Sequence, residues 1–510
     1  MTLIDLLIVA GYLVGIVAFG TFFSKRQQTT RDYFVGDKRI PWWAIAASIV
    51  ATETSTITFI SVPGILFARG GNFGFLQLVL GYLVGRVVIS LLFIPMYFRG
   101  ELLTVYQLLQ QRFGGGPKLL AASLFVVMRN IADGVRLLLT AFVLGAVVTA
   151  FVPDFSLPTA IVASIILIGL AMIVFTYFGG MEAVIWVEVV QLGVYLAGAV
   201  AAALVLSSKI PGGFSEALAL GTQFNKFQVF DFSFDLTKTY TFWAGLVGGT
   251  VLNMSTHGTD QYLVQRYLCT DSPRKASLAL FTSGVVVLVQ FAGFLLIGLL
   301  LFAFYQPYAL PGYGTDAVAA AAPFARTDAI FPAFITTEMP TGLAGLVIAA
   351  IFAAALSSSL NSIAATAVND LYRPFARDTS DRHLLRVSRW MTLGWGLVQI
   401  AVALAFYAFT ARSALDIALS VASLFNGPVL GLFLIGSFVK RANGRDALAG
   451  ALIGCAVMAT IFFAELADPT KVNLFAWPWY ALIGSFVTFV AGTVASYVLP
   501  RRAVAVAVSE

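Results

Sequence analysis

Residues 51–61 read Ala-Thr-Glu-Thr-Ser-Thr-Ile-Thr-Phe-Ile-Ser. They lie in a segment otherwise apolar enough to cross a bilayer. A carboxylate and a run of hydroxyls at that depth are costly unless they face a cavity, an ion or a solute. Pro63 and Gly64 follow at once, so the sequence predicts an interruption of the helix there. An interrupted helix with carbonyls and hydroxyls near the membrane midplane is the framework of an ion- and solute-binding site.

Working outward, the 510 residues are 59% hydrophobic and 11% charged. A soluble protein carries about twice that share of charge, and the apolar segments are too long and too many for one buried core. The expected class is an all-α polytopic membrane protein. Two cysteines, Cys269 and Cys455, give no disulfide framework or metal motif. Two histidines, His257 and His383, argue against a His-rich metal enzyme. No nucleic-acid partner is expected.

Hydropathy predicts thirteen spans, at 3–22, 41–64, 73–98, 119–150, 157–178, 183–206, 241–265, 276–305, 341–370, 389–410, 414–438, 446–465 and 478–499. The first lacks a basic leader region and is followed by Lys25 and Arg26, so it reads as an anchor rather than a signal peptide. Alternate loops divide the basic residues unequally. One set, beginning with Lys25, Arg26 and Arg31 and ending with Arg501 and Arg502, holds 21 Lys and Arg, and the other holds seven. Arg86, Arg129 and Arg136 remain inside spans. The bias predicts the N-terminus outside and the C-terminus in the cytoplasm.

The second and seventh spans share a character. Each mixes apolar residues with hydroxyls, glycines and one acid, Glu53 in the first and Asp260 in the second, and they run in opposite directions. Two interrupted helices in inverted halves, 41–206 and 241–438, are the pattern of an alternating-access transporter.

Other polar residues at membrane depth refine this reading. Arg129, Asp133 and Arg136 fall at i, i+4 and i+7, on one helical face. One acid neutralises one guanidinium; the other can meet a solute carboxylate or a structural network completed by Glu188 or Asp260. Asp260, Gln265 and Arg266 read as a structural network at the cytoplasmic end of the seventh span. Ser357, Ser358, Ser359 and Ser362, with Asn361, offer the oxygens that hard cations prefer; small residues and hydroxyls also serve helix packing.

These residues resemble the sodium:solute symporter family, relatives of the sodium–glucose, proline, sialic acid and pantothenate transporters. The motifs are Ala51–Gly64, Tyr106–Gly114, Ala132–Leu137, Gly179–Gln191, Thr259–Leu268, Ser357–Tyr372 and Gly427–Gly444. Each alone is weak; in this order, over nearly the whole chain, they are specific. The resemblance implies a LeuT-like core of five plus five inverted helices, with one extra N-terminal and two extra C-terminal helices, and uptake driven by sodium.

The resemblance also assigns roles. Carbonyls of Ala51, Thr54 and Ile351 would hold sodium, but the two usual hydroxyl residues of that site fall on Ala354 and Ala355. Ser357 and Ser358 match a second hydroxyl pair that some members use with an acid, here Glu188. Glu53 falls where the proline branch has a cation-binding Asp. Two mechanisms follow: sodium moved toward Glu53, Ser357, Ser358 and Glu188, or a proton on Glu53 or Glu188. The implied solute positions are Glu53, Ser55, Thr58, Gln77, Thr256 and His257, joined by Arg136, and their polarity points to a small organic anion or amino acid. A channel would need a continuous pore that the sequence does not show. A sensor would need an output domain, and the chain ends about ten residues after the last expected span. An enzyme would need a nucleophile–base pair or metal ligands, and neither is evident.

Overall fold

A computed structural model describes residues 2–22, 29–151, 154–312, 322–324, 327–356, 359–409, 414–467 and 475–500. Among them there is no strand. The principal helices are α1 (Leu3–Phe22), α2 (Trp42–Glu53), α3 (Thr56–Phe67), α4 (Leu76–Leu92), α5 (Gly115–Phe151), α6 (Leu157–Lys209), α7 (Gly249–Gly258), α8 (Gln261–Leu268), α9 (Pro273–Tyr305), α10 (Leu343–Leu356), α11 (Leu360–Thr366), α12 (Asp381–Phe409), α13 (Ala414–Phe438), α14 (Gly444–Ala467) and α15 (Tyr480–Val498).

Among the described residues, nine helices are long and apolar enough to cross a membrane, or ten if the bent pair α2 and α3 is one span. The expected span at 241–265 is broken and polar, and those at 341–370 and 414–438 are described only in part, with apolar helical stretches at Leu343–Phe352 and Phe425–Phe438 among the described residues. Large apolar side chains such as Leu91, Val289 and Phe463 are exposed, as suits a surface solvated by lipid.

The helix breaks have local causes. α2 and α3 meet at 59°, at Thr54–Ser55 rather than at Pro63–Gly64 as the sequence predicts. Thr54 leaves helical geometry (φ −80°, ψ 77°), and the Ser55 hydroxyl caps α3 by accepting from Thr58 N. Pro63 sits inside α3. A proline removes one ladder bond, whereas the capped break releases several carbonyls at once. The expected fifth and sixth spans are two helices of the run labelled α6, which meet at a kink at Gly180, whose φ of 61° with ψ of −162° suits glycine. In the seventh expected span a π-helical turn (Ala244–Gly248) leads into α7. The chain breaks after Gly258, and the Asp260 carboxylate caps α8 through Tyr262 N at 2.8 Å.

The broken helices lie inside the bundle. α9 packs on α2, α3 and α4; α7 packs on α4; α5 packs on α6, α12 and α13. α1 rests against α6 and α10, where Asp5 accepts from the Gly342 and Gly345 amides at 2.7 and 2.9 Å, a carboxylate at a helix N-terminus. α14 and α15 pack on each other and on α13.

Contacts between loops follow the alternation of the basic residues. Arg31 pairs with Glu101, Thr30 bonds Asp381, and Arg112 donates to the Val439 and Lys440 carbonyls, all within the loop set rich in Lys and Arg. Within the other set, Lys209 pairs with Glu338, Ala476 N donates to Leu236 O, and Lys226 caps the end of α3.

Candidate functional site

At the break between α2 and α3 the backbone ladder is rerouted. Ser55 N donates to Glu53 O at 2.9 Å, not to the carbonyl of Ala51 four residues back. The first bond of the next ladder is Phe59 N to Ser55 O at 3.1 Å. The carbonyls of Ala51 and Thr54 therefore stand outside both ladders, as a cation site built on them requires. The Thr54 hydroxyl is engaged, at 2.8 Å from both Val50 O and Gln290 Oε1. α10, which carries Ile351, packs against α3, the helix that follows the break. Ser357 and Ser358 lie outside the described residues, and so do the side chains of Ala354 and Ala355.

A cavity of about 340 Å³ opens at the break. Six of the seven expected solute positions line it: Glu53, Ser55, Thr58, Arg136, Thr256 and His257. Gln77 does not. Its amide donates to Gly74 O and Tyr240 O, both at 3.1 Å, and its oxygen accepts from Asp231 N at 2.9 Å. It braces the segment before the π-helical turn, and every polar atom of its side chain has a partner there. Arg129 and Asp133 join the lining, with an aromatic set that the sequence reading does not single out: Phe75, Tyr82, Tyr240, Tyr262, Phe291 and Trp477. Phe75 stacks on Phe291 with centroids 5.0 Å apart.

Four carboxylates meet four guanidiniums in the bundle, and three of the four pairs place a member on the cavity wall. Glu53 pairs with Arg86, Asp133 with Arg136, Asp260 with Arg129 and Glu188 with Arg266. All eight side chains are largely buried. A carboxylate removed from water needs such a partner or leaves an uncompensated charge.

For Arg129, Asp133 and Arg136 the pairings match the network alternative: Asp260, at the start of α8, takes Arg129 and leaves Asp133 to Arg136. Asp133 also accepts from the Ser359 hydroxyl and, at 3.3 Å, from Gln399 Nε2. The pairings depart from the sequence expectations in two other places. Asp260, Gln265 and Arg266 are not one network. Gln265 donates to Asn361 Oδ1 and Phe34 O, both at 2.7 Å, while Arg266 Nη2 lies 2.5 Å from Glu188 Oε1. Glu188 is no open acid: Ser48 and Thr52 donate to it beside Arg266. The carboxylates of Glu53 and Glu188, which a proton-coupled version would load, both face guanidiniums.

Arg86 is the residue whose part sequence reasoning missed. Its place inside a span marks it, but its partner lies on another helix. Nη2 holds Glu53, while Nη1 donates to Ser283 Oγ at 2.7 Å and Leu280 O at 3.3 Å. His257 Nε2 lies 3.1 Å from the other Glu53 oxygen. Tyr262 is the second omission. Its ring lies 4.5 Å from the Arg129 guanidinium, 4.6 Å from that of Arg266 and 5.9 Å from that of Arg136, so one aromatic ring serves three ion pairs.

Broken helices inside a lipid-facing bundle, with a polar cavity and released carbonyls at the breaks, define a membrane transporter of the alternating-access kind. Residues 33–454 match the sodium:solute symporter family, and the chain belongs to that family. It is 32% identical over 508 residues to the sodium/sialic acid symporter SiaT of Proteus mirabilis, covering 96% of this chain and 94% of that one. It is 31% identical over 491 residues to the sodium/sialic acid symporter NanT of Aliivibrio fischeri, covering 94% and 90%. A solved substrate-bound, outward-open Na+-coupled sialic acid symporter superposes with a TM-score of 0.82 at 31% identity, covering 97% of this chain and 98% of that one. Two more distant transporters share the fold alone: MHP1 (TM-score 0.53, 13% identity, coverage 91% and 94%) and MhsT (0.53, 15%, 89% and 98%). The fold is LeuT-like. The protein is an integral membrane symporter rather than an enzyme, with sodium as coupling ion and a small molecule as second cargo.

Proposed function

We propose that this symporter imports a small organic anion across the cytoplasmic membrane, with its N-terminus outside and its C-terminus in the cytoplasm. The observation that carries the reading is the placing of two guanidiniums, Arg129 and Arg136, on the wall of the cavity at the helix break. Arg136 can exchange Asp133 for a solute carboxylate without stranding Asp133, because Ser359 and Gln399 also donate to that acid. The balance of four acids and four arginines supports an anion as well. One sodium and one monoanion entering together add no net charge to a low-dielectric core. The relatives at 31–32% identity are named for an acid.

In this reading sodium binds the carbonyls of Ala51, Thr54 and Ile351, completed by the Ser357 and Ser358 hydroxyls. Ser55, Thr58, Thr256 and His257 meet the polar groups of the solute, and the aromatic set covers its apolar part. The inverted halves are 41–206 and 241–438, and alternating access moves one against the other. The wealth of Lys and Arg in one loop set supports this orientation.

Uptake into proteoliposomes tests this, with a panel of carboxylic acids, amino acids and neutral sugars under a sodium gradient. Sodium-driven uptake of at least one acid, and of no neutral sugar, is the expected outcome. Uptake of sugars only would overturn the anion reading.

A further inference from the structure

Glu53 occupies the last turn of α2 between the two residues whose carbonyls leave the ladder, Ala51 and Thr54. A carboxylate so placed would ordinarily attract a coupling ion. Here each of its oxygens already has a donor. Oε2 takes Arg86 Nη2, Oε1 lies 3.1 Å from His257 Nε2, and the main-chain oxygen accepts from Ser55 N and the Thr58 hydroxyl. His257 is itself held by Asn253 at 3.1 Å and Thr256 at 3.0 Å.

Arg86 is built into this position. It has no solvent exposure, and its second nitrogen is fixed on α9 by Ser283 and Leu280. Gly284 of the same helix provides the notch for its stem: a Cβ there would lie 2.8 Å from Arg86 Cδ. A guanidinium held in this way cannot swing out to make room for an ion, and it repels a second cation at the same carboxylate in a low-dielectric interior.

We propose that Arg86 is a tethered countercation: it supplies the positive charge that a coupling ion would otherwise bring to Glu53, so Glu53 takes no sodium and coupling runs through the carbonyl site beside it. Without Arg86 the core holds four acids against three arginines, and the missing charge is then made up by one more sodium. The proposal rests on sodium coupling and not on the identity of the solute, because sodium alone is the probe.

The test counts bound ²²Na⁺ per chain in purified protein without solute, with choline as the replacing cation at constant pH. Arg86→Met is expected to bind one sodium more than the unsubstituted chain. The double variant Glu53→Gln with Arg86→Met removes both charges and is expected to restore the original count and affinity within about twofold. An unchanged count in a folded Arg86→Met variant overturns the proposal. So does the loss of one sodium, or tenfold weaker binding, in the double variant, since Glu53 would then be a sodium ligand in the native protein. Should Arg86→Met not fold, the double variant decides the matter. A double variant that also unfolds counts against the proposal, because the two side chains would then do more than cancel each other's charge.

Discussion

The Arg266 guanidinium lies 2.5 Å from the Glu188 carboxylate, and neither side chain has any solvent exposure. The pair joins α8 to α6, and Ser48 and Thr52 bring α2 into the same contact. Breaking a buried pair by neutralising one partner costs about 3–5 kcal/mol. Glu188→Gln is therefore expected to lower the thermal unfolding midpoint in detergent sharply, while the surviving folded fraction keeps its sodium affinity. Arg266→Lys is expected to destabilise as well, although it keeps the charge, because Nε and Nη2 both bond and the guanidinium sits over the Tyr262 ring. A Glu188→Gln variant with normal stability and weakened sodium binding would return this acid to the cation site.

Arg136 has a different expected signature. If it receives the solute carboxylate, Arg136→Lys keeps the charge but loses the planar fork. A charge-assisted hydrogen bond contributes about 1.5–3 kcal/mol, so KM for a transported acid should rise about 10- to 100-fold in proteoliposomes with the maximal rate largely kept. Arg129→Lys is the contrast. Arg129 secures Asp260, the cap of α8, so its loss should show first as reduced stability. Equal KM for Arg136→Lys and the unsubstituted chain would remove Arg136 from the solute site.

What can be read from the chain depends on range. Runs of apolar residues and the sidedness of Lys and Arg are local signals, and they locate most spans and anticipate which loops touch. The stretch at 51–61 announces the site because hydroxyls and an acid at membrane depth are conspicuous by cost. The point of the break is not legible in the same way. Pro63 is the strongest local breaker, whereas the break at Thr54–Ser55 is set by a cap and by an acid held from α4 and α7. Partnerships are the least legible. Arg129 finds Asp260 and Glu53 finds Arg86 across different helices, and nothing in the spacing chooses among acids of equal charge. Gln77 fails for the same reason: the segment from Asp231 to Tyr240 folds down onto it, which no pattern in α4 reveals.

Gln77→Ala follows from that correction. The substitution strands the Asp231 amide and removes both donors to Gly74 and Tyr240 carbonyls. An unsatisfied buried polar group costs about 1–3 kcal/mol. The expected result is a lower unfolding midpoint and faster amide exchange in residues 231–240, with KM for the transported acid changed less than about twofold. A large KM change at normal stability would place Gln77 against the solute after all.

Lys226 closes the C-terminal end of α3. It is almost fully buried, donates to Leu66 O at 2.8 Å and Ala68 O at 2.9 Å, and lies 4.2 Å from the centre of the Phe302 ring. A cation at a helix C-terminus is well placed, but burial pushes the ammonium pKa down from 10.5 to about 8. The sign of the pH effect follows by linkage. A released side chain titrates near 10.5, so between about pH 8 and that value the released state binds more protons than the docked one. Docking therefore grows more favourable as pH rises through that window, and it is independent of pH below about 8. Amide exchange corrected for intrinsic rates should show protection of residues 224–230 rising between pH 8 and 10. Lys226→Met should flatten that rise and, by leaving the α3 carbonyls without their donor, lower protection by about 1–2 kcal/mol at pH 7. Protection that falls above pH 8 in the unsubstituted protein would mean that the charged contacts to Leu66 and Ala68 outweigh the desolvation of the ammonium, so that deprotonation loosens the docked segment instead of tightening it.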